Sequence, residues 1–422
     1  MSGFDARALF VGMFDAAVAA ADPERVIRDF LPEKPKGRTI VIGAGKGSAQ
    51  MARAFERAWG GPLSGLVVTR YGYAAPCERI EVIEAAHPVP DEAGLRGARR
   101  LFETVGGLTE DDLVVALISG GGSALLPCPA GALTLADEIA VNRALLASGA
   151  PIAAMNTVRK HVSAIKGGRL AAAAFPARVV SLIVSDIPGD QPSLVSSGPT
   201  VPDVSTRMDA LAIVEAYRLD LPAAVMAHLH SPTADAPRPD DPRFARNEVH
   251  LIASAARSLD AAAEIARGAG LEAVILSDAI EGEAREVAKV HAAIAHEIAA
   301  KNRPFAKPVA ILSGGETTVT LRGDGGRGGR NGEFLLSLAI GIAGDEGIHA
   351  FAADTDGIDG SEQNAGAFAD WTTVSRLRAK GLDPSALLNK NDSWGAFDAL
   401  GDLFEPGPTG TNVNDLRVVI VR

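Results

Sequence analysis

Short runs of β-branched and other apolar residues recur along the chain, and most are followed by a stretch with helical periodicity. The strand-like runs are residues 39–43, 66–69, 80–85, 113–119, 178–185, 250–254, 272–277, 308–313, 348–353 and 416–421. In the segment that follows the first run, Met51, Phe55 and Trp59 share one helical face, and Gly60 follows as a stop. Because nearly continuous apolar strands that alternate with helices are buried on both faces, the pattern predicts an α/β fold with mainly parallel sheets.

A length of 422 residues suits two domains of ordinary size. The clearest change in composition is the segment 231–244, where prolines and aspartates disfavour a helix or a central strand. We place the linker there and predict domains at 1–235 and 245–422. A Ser-Gly-Gly triplet follows a strand in each half, at 119–121 and 313–315. This echo suggests related halves, although reuse of strand–glycine–helix turns explains it equally well.

The charge balance excludes some classes of partner. Lys and Arg number 41 against 52 Asp and Glu, which gives a formal net charge of −11. Nucleic-acid binding needs a basic footprint, and aromatic residues for base stacking make up only 5% of the chain. We therefore expect no nucleic-acid partner.

The low cysteine count and the lack of a long apolar run suggest a soluble protein. Cys77 and Cys128 are too few for a disulfide framework or a four-ligand zinc site. The first residues lack a basic leader, and no apolar run approaches the length of about 20 residues that spans a bilayer. The expected location is the cytoplasm, with no membrane partner.

Two glycine-rich loops in the first half follow predicted strands. One is GAGKGS at 43–48 and the other is SGGGS at 119–123. Such loops bring main-chain N–H groups close to an anion, and Lys46 adds a full positive charge. The candidate ligands are Gly43, Gly45, Gly47, Ser48, Ser119, Gly120, Gly121, Gly122 and Ser123. Neither loop fits the P-loop pattern, and Ser48 replaces the third glycine of the dinucleotide fingerprint, so plain turns remain the alternative.

A local basic segment, 155–171, stands out in an acidic chain. Its Arg159 and Lys160 are candidate anion-binding residues, although a solvated cationic helix face explains the segment equally well.

Aspartates follow two of the predicted strands. Asp186 and Asp190 come after 178–185, and Asp354 and Asp356 come after 348–353. Carboxylates at strand ends can hold magnesium or act as a base, so we predict a magnesium site from these four and a catalytic role for Asp190. Aspartate is also common in turns for structural reasons.

The densest glycine-rich segment is 312–334, and a second loop of turn residues covers 404–416. Arginine can stabilise charge on a transferring phosphoryl group, which makes Arg327 and Arg330 candidates. The predicted binding residues are Ser313, Gly314, Gly315, Glu316, Asn331 and Thr409.

His87 and His161 lack a nucleophile-elbow serine, and the eight histidines show no metal-ligand spacing.

Together these loops resemble the glycerate 2-kinase family, also called class II glycerate kinase. The motifs that carry the resemblance are VIGAGKGSAQMA, HPVPD, ISGGGSALL, MNTVRKHVSAIKGGRLA, SDIPGDQPSLVSSGPTVPD, LSGGETTVT, GGRNGEF, DTDGIDG and GPTGTNVNDL. They cover nearly the whole chain in one order. The segment from about 305 to 420 is similar to the MOFRL domain of that family.

The resemblance implies two Rossmann-like domains with an active-site cleft between them. It implies transfer of the γ-phosphoryl group of ATP to D-glycerate, which gives 2-phosphoglycerate, with Mg²⁺ as cofactor. Lys46 and Arg330 match residues implicated in activity in the family, and Gly332 stands where the family usually has Gln. Whether the chain forms a homodimer stays open.

Two other functions are weighed against the kinase. Family members have often been labelled hydroxypyruvate reductase, but a reductase would need an acidic residue after the second strand, where Arg70 and Tyr71 stand. A sugar-phosphate sensor would need no magnesium, which leaves the aspartates unexplained. On the kinase hypothesis, Lys46→Ala and Arg330→Ala should each lose most activity while the protein stays folded.

Overall fold

The computed structural model describes residues 4–187, 189–321 and 325–422. Over these residues the chain forms two compact units. The N-terminal unit is Pro23–Ile252, and the C-terminal unit combines the residues up to Asp22 with Ala253–Arg422.

Helices alternate with strands in most of the chain. Over the described residues the helices are α1 (Ala6–Ala19), α2 (Pro23–Val26), α3 (Ser48–Trp59), α4 (Glu92–Thr104), α5 (Gly122–Leu125), α6 (Leu135–Ala147), α7 (Ile152–His161), α8 (Arg169–Ala173), α9 (Arg207–Ala216), α10 (Ala223–His230), α11 (Ala255–Gly268), α12 (Ala284–Lys301), α13 (Arg330–Gly341), α14 (Thr373–Ala379), α15 (Pro384–Asn389) and α16 (Ser393–Leu400). The strands are β1 (Thr39–Ala44), β2 (Ser64–Arg70), β3 (Ile80–Ala85), β4 (Leu113–Ile118), β5 (Arg178–Ser185), β6 (Glu248–Ser254), β7 (Glu272–Ser277), β8 (Gly282–Glu283), β9 (Val309–Ser313), β10 (Thr317–Thr318), β11 (Ile348–Asp354), β12 (Gly366–Asp370), β13 (Leu403–Phe404) and β14 (Asp415–Val421).

The described part of the N-terminal unit contains a six-stranded sheet in the order β3-β2-β1-β4-β5-β6. The pairs that join β3, β2, β1, β4 and β5 are all parallel, as the sequence predicts. The predicted helix after β1 is also confirmed, since α3 buries Met51, Phe55 and Trp59 and stops at Gly60 in the left-handed conformation. The chain crosses to one side of β1 for β2 and β3 and to the other side for β4. Ligands bind at such a reversal in open parallel sheets.

The sheet of the C-terminal unit is mixed, in contrast to the parallel pairing in the N-terminal sheet. Its order over the described residues is β13-β12-β11-β14-β9-β7, and only the β7–β9 pair is parallel. No helix lies between β11 and β12, so the chain return between these two strands lacks the crossover that a parallel pair requires. The α/β class is confirmed.

The first helix belongs to the C-terminal unit, which differs from the predicted domain 1–235. Phe10, Met13, Phe14 and Ala17 of α1 are spaced at helical intervals and are fully buried with α11 and the C-terminal sheet. The rings of Phe10 and Phe351 stack with their centroids 5.6 Å apart. Burial of this apolar face holds α1 on a unit that lies far away in sequence.

The segment 231–244 was expected to link the domains, but it packs on the N-terminal unit. It forms short 3₁₀ turns at Pro232–Ala234 and Pro242–Phe244, and Phe244 joins the apolar core there. The following strand, β6, then pairs with the edge of the same sheet. The change of unit therefore falls at 252–253. Among the helices of the described residues, none has the length and apolarity to cross a membrane.

Substitution of Gly65 by Ala tests the close packing of β1 against β2. A Cβ atom at this position would overlap the main-chain carbonyl of Val41 on the neighbouring strand. We expect Gly65→Ala to lower the free energy of unfolding by about 1–3 kcal/mol, measured by urea denaturation. Gly268→Ala is the matched control, since a Cβ atom there meets no neighbour within 4 Å, and it should be neutral or slightly stabilising. Equal effects of the two substitutions would contradict the packing argument.

Candidate active site

The two glycine-rich loops of the N-terminal unit lie side by side because β1 and β4 pair in parallel up to their last residues. Ala44 is opposite Ile118 in this register. The main-chain N–H of Lys46 donates to the carbonyl of Gly120 at 2.9 Å, and that of Gly47 donates to Oγ of Ser119 at 3.0 Å. We call residues 43–48 and 119–123 the glycine loop pair. These bonds fix the two loops to each other.

Glycine is required at two points of this pair. Gly45 has a φ of +139°, and a Cβ atom would overlap the main chain of Ser119. A Cβ atom on Gly120 would overlap the carboxylate of Asp186, which follows β5. Asp186, at the end of a neighbouring strand, therefore lies directly against the loop pair.

The loop pair leaves donors available for a ligand. Within the described chain, the amides of Gly120, Gly121 and Gly122 donate to no protein acceptor. The side chain of Lys46 lies close to Gly121 and forms no ion pair with a described residue. Several free N–H groups beside an unpaired ammonium group suit an anionic ligand.

Arg159 is a second cation without a counter-ion, held by neutral groups. Its Nε donates to Oδ1 of Asn142 at 2.9 Å, and its Nη1 donates to Oδ1 of Asn156 at 3.2 Å. Asn156 in turn accepts from Ser197, whose hydroxyl is 2.7 Å from that of Ser123 in the loop pair. In the part of the chain that the structure describes, no carboxylate pairs with Arg159, and burial lowers its pKa to about 10. A partly buried guanidinium group without a carboxylate partner favours an anion as its partner.

Lys160 does not join this group, although the sequence predicts that it does. Its side chain is fully buried, and Nζ donates to Oδ2 of Asp203 at 2.5 Å. Neighbouring residues of a helix face different directions, so only Arg159 of the two is placed for binding.

Reasoning from the sequence missed His87 as a site residue. The side chain is partly exposed, and its Nε2 lies near Gly121 of the loop pair. Burial, followed by the charges of Lys46, Arg70 and Arg159, lowers its pKa to about 4. The sequence signal that could have identified His87 is the HPVPD motif, but the motif by itself does not indicate a role for the histidine.

A second group of polar residues lies at one edge of the C-terminal sheet. Strand β11 ends there and its antiparallel neighbour β14 begins there, which brings Asp354 opposite Asp415. Arg330, the first residue of α13, binds both. Its Nη2 donates to Asp354 at 2.6 Å, its Nε donates to Asp415 at 2.7 Å, and its Nη1 donates to Glu316 at 2.9 Å.

Arg330 is therefore not a free positive charge, which alters the expectation drawn from the sequence. Although burial acts to lower the pKa of Arg330, the three carboxylates raise it above its ordinary value. Arg417 pairs with the second oxygen of Asp415, and Asn331 donates to the first at 2.8 Å. Arg330 thus fixes the positions of carboxylates, and its role at a transferring phosphoryl group stays a prediction.

Asp359 is a further residue that the sequence assigned no firm role. Its carboxylate accepts from the main-chain N–H groups of Asn331 at 3.0 Å and Gly332 at 2.8 Å, at the start of α13. Burial raises its pKa to about 6. A Cβ atom on Gly332 would lie 2.6 Å from Oγ of Ser393, so the longer side chain usual in the family does not fit beside Ser393 as it stands.

Carboxylates outnumber cations at this edge. We call Glu316, Asp354, Asp356, Asp359 and Asp415 the carboxylate cluster. The cations that pair with members of this cluster are Arg330 and Arg417. Burial raises the pKa of Asp354 well above its ordinary value; Arg330 opposes the rise, and Asp356 and Asp415 add to it. A surplus of negative charge suits a cation or the hydroxyl groups of a ligand.

The remaining predicted residues of this unit support the cluster. Ser313 lies 3.0 Å from Nε2 of His291, and the carbonyl of Gly315 accepts from the N–H of Asp415 at 3.2 Å. The carbonyl of Gly314 accepts from Ile280 at 3.1 Å. The N–H of Thr409 donates to the carbonyl of Asp356 at 3.1 Å, which ties the 404–416 loop to the strand end.

The predicted magnesium site draws on both units, with Asp186 and Asp190 in one and Asp354 and Asp356 in the other. Asp190 lies on the loop after β5 with a left-handed backbone, φ 52°. Among the described residues, no three His, Cys, Asp or Glu side chains are grouped to hold a metal ion. The four-aspartate site stays a prediction.

Comparison with known proteins identifies two regions. Residues 9–230 match a domain of unknown function, DUF4147, and residues 309–415 match the MOFRL family. The chain is 40% identical to the D-glycerate 2-kinase of Thermotoga maritima over 416 residues, which cover 98% of each protein. A glycerate kinase crystal structure from the same organism matches with a TM-score of 0.89 at 39% identity, over 99% of each chain. The chain belongs to the glycerate 2-kinase family.

Other family members carry a different label. A protein of Agrobacterium vitis, 54% identical over 99% of this chain and 94% of its own length, has hydroxypyruvate reductase as its provisional name. The MOFRL match at 309–415 agrees with the predicted region, and it contains Arg330 and the whole carboxylate cluster. The DUF4147 match contains the glycine loop pair, His87 and Arg159.

Arg330→Ala tests whether this residue holds the carboxylate cluster. The substitution leaves Asp354 and Asp415 buried with one cation fewer, so we expect a loss of about 3–5 kcal/mol in the free energy of unfolding. Arg327→Ala is the control. Arg327 is exposed, pairs with Glu362 at 2.6 Å and stacks on Trp394, so its loss should lower the free energy of unfolding much less than the loss of Arg330. Urea denaturation of both variants gives the comparison, and equal stability would exclude a structural role for Arg330.

Proposed function

We propose that the protein is an ATP-dependent glycerate 2-kinase that transfers the γ-phosphoryl group of ATP to the C2 hydroxyl of D-glycerate. The observation that carries the proposal is the division of charge between the two sheet edges. Over the described residues, Lys46 and Arg159 have no carboxylate partner, and Lys46 lies beside the free amides of the glycine loop pair. The carboxylate cluster, in contrast, contains more carboxylate groups than arginines. Relatives named glycerate 2-kinase over the whole chain length support the substrate.

The glycine loop pair would bind phosphate or carboxylate oxygens. Main-chain N–H groups and Lys46 are fixed before a ligand arrives, so they stabilise developing negative charge without reorganisation. Arg159, oriented by Asn142 and Asn156, would anchor a second anionic group. Positioning of this kind supplies most of the rate enhancement in phosphoryl transfer.

Magnesium fits this arrangement as an ion that arrives with ATP. Mg²⁺ in kinases is bound by one or two carboxylates together with phosphate oxygens and waters, so a preformed cage of three carboxylates is not needed. Asp186 would hold it, because its carboxylate lies against Gly120 of the loop pair. The bound ion would neutralise charge on the phosphate oxygens.

A reductase is the second candidate, and two observations favour it. The strand order β3-β2-β1-β4-β5-β6 is that of dinucleotide-binding sheets, and Arg70 ends β2 where NADPH enzymes can carry an arginine for the 2′-phosphate. Against it, Ser48 occupies the position of the third glycine and donates to the carbonyl of Leu117 at 2.9 Å.

Two coupled assays on the purified protein separate these functions. We expect ADP release with ATP, Mg²⁺ and D-glycerate, and no NADH or NADPH oxidation with hydroxypyruvate. Excess chelator should abolish the ADP release. Cofactor oxidation without ADP release would overturn the kinase proposal, and full activity in chelator would overturn the magnesium requirement.

Substitutions of Lys46 and Arg159 test the anion-binding role of this edge. Lys46→Ala removes a charge that acts in the transition state and should lower kcat and kcat/KM together by about 10²–10³-fold. Arg159→Gln should raise the KM for one anionic substrate by about 10–100-fold, since a hydrogen bond to a charged group contributes about 1.5–3 kcal/mol. Arg57→Gln, on the exposed face of α3, is the control that should leave both constants unchanged. Normal kinetics in Arg159→Gln would exclude it from the site.

A further inference from the structure

His87 is a titratable side chain that the structure places beside Lys46 and Gly121 of the glycine loop pair. Its Nε2 would lie 3.2 Å from a Cβ atom on Gly121, and the side chain of Lys46 meets the same point at 3.1 Å. A ligand bound to this loop therefore meets the imidazole ring and the Lys46 side chain together.

The imidazole of His87 is uncommitted, unlike other histidines in the protein. His161 and His291 each engage Nδ1 with a carbonyl of their own helix, at 2.7 and 2.9 Å. Among the residues that the structure describes, His87 has no hydrogen-bond partner, and its ring is partly exposed. A partly buried polar ring without a protein partner is placed to bond to a ligand.

The charges around His87 keep its imidazole neutral. Lys46 lies on the loop after β1, Arg70 ends β2 and Arg159 lies on α7, so three separate elements present positive charge to the ring. The loss of solvent acts in the same direction, and the pKa is lowered to about 4. Anionic substrates would offset these cations, and the same imidazole would then bind a proton more readily.

On the basis of the kinase function proposed above, we propose that His87 is the general base that accepts the proton of the glycerate C2 hydroxyl during phosphoryl transfer. The hydroxyl oxygen forms a bond to the γ-phosphorus while the bond from that phosphorus to the β,γ-bridging oxygen breaks. ADP leaves with the electron pair of the broken bond. The hydroxyl proton moves to a ring nitrogen of His87, and the imidazolium later releases it to solvent.

His87 suits this role better than Asp190, which the sequence suggests. Asp190 lies on the loop after β5, and among the described residues no hydrogen bond joins it to the glycine loop pair. His87 gains basicity as the anionic substrates bind, so its proton affinity is highest when the hydroxyl must be deprotonated. A base whose pKa approaches the working pH in the complex transfers protons most efficiently.

The test compares His87→Gln, His87→Asn and Asp190→Asn in the full-length protein with ATP, Mg²⁺ and D-glycerate. Both His87 variants keep a hydrogen-bonding side chain but cannot take the proton, so we expect kcat to fall by about 10²–10⁴-fold with little change in either KM. Asp190→Asn should retain the fall of kcat toward acid pH, which a general base at Asp190 would remove. Folding of each variant is checked by circular dichroism and by calorimetric binding of MgADP.

The pH profiles give a readout that a structural role of His87 would not produce. In the wild type, kcat should fall toward acid with an apparent pKa well above 4, because kcat reports the substrate-bound state. The residual kcat of His87→Gln should lack this acid limb. Near-normal kcat in both folded His87 variants, or an unchanged acid limb, would overturn the proposal while the kinase function stands. If one variant fails to fold, the other variant and the wild-type acid limb decide. Absence of ADP release by the wild type would overturn both proposals.

Discussion

The parallel register between β1 and β4 is the constraint on which the candidate site depends. It ends both strands at the same level, with Ala44 opposite Ile118, and so forces two glycine-rich loops into one place. Side chains cannot be accommodated there, because the Gly45 and Gly120 positions are filled by Ser119 and Asp186. What remains at the surface of this edge is main-chain N–H groups, Lys46 and the side chains that neighbouring elements direct toward it. The anion-binding role proposed for this edge therefore depends on the strand order.

In the C-terminal unit, the electrostatic constraint is that buried carboxylates must be compensated by cations. Its antiparallel β11–β14 pair brings Asp354 and Asp415 together in a buried place, which by itself would be strongly unfavourable. Arg330 and Arg417 compensate, and the start of α13 supplies main-chain N–H groups to Asp359. This network explains why a glycine-rich loop must precede Arg330. A Cβ atom on Gly329 would overlap Asp359, so only glycine lets the chain approach closely enough to deliver the arginine.

The N-terminal and C-terminal sheet edges differ in the sign of the charge that they present. One edge presents cations that neutral groups orient, and the other presents carboxylates that arginines hold in place. Phosphoryl transfer requires both, since the transferring group is anionic while its metal ion and acceptor hydroxyl favour carboxylate oxygens. A hydride-transferring enzyme has no comparable need for the carboxylate cluster.

Sequence alone determined the α/β class, the parallel N-terminal sheet, the glycine loops and the family, because strand and glycine patterns are local and the motifs are long. It did not separate Arg159 from Lys160, since adjacent residues in one basic run differ only in the direction they face. Nor did it find the partners of Arg330, which lie 14, 24 and 85 residues away. The mixed C-terminal sheet, the docking of α1 and the place of His87 among three cations were decided by tertiary structure, because each depends on contacts between segments that are distant in the chain.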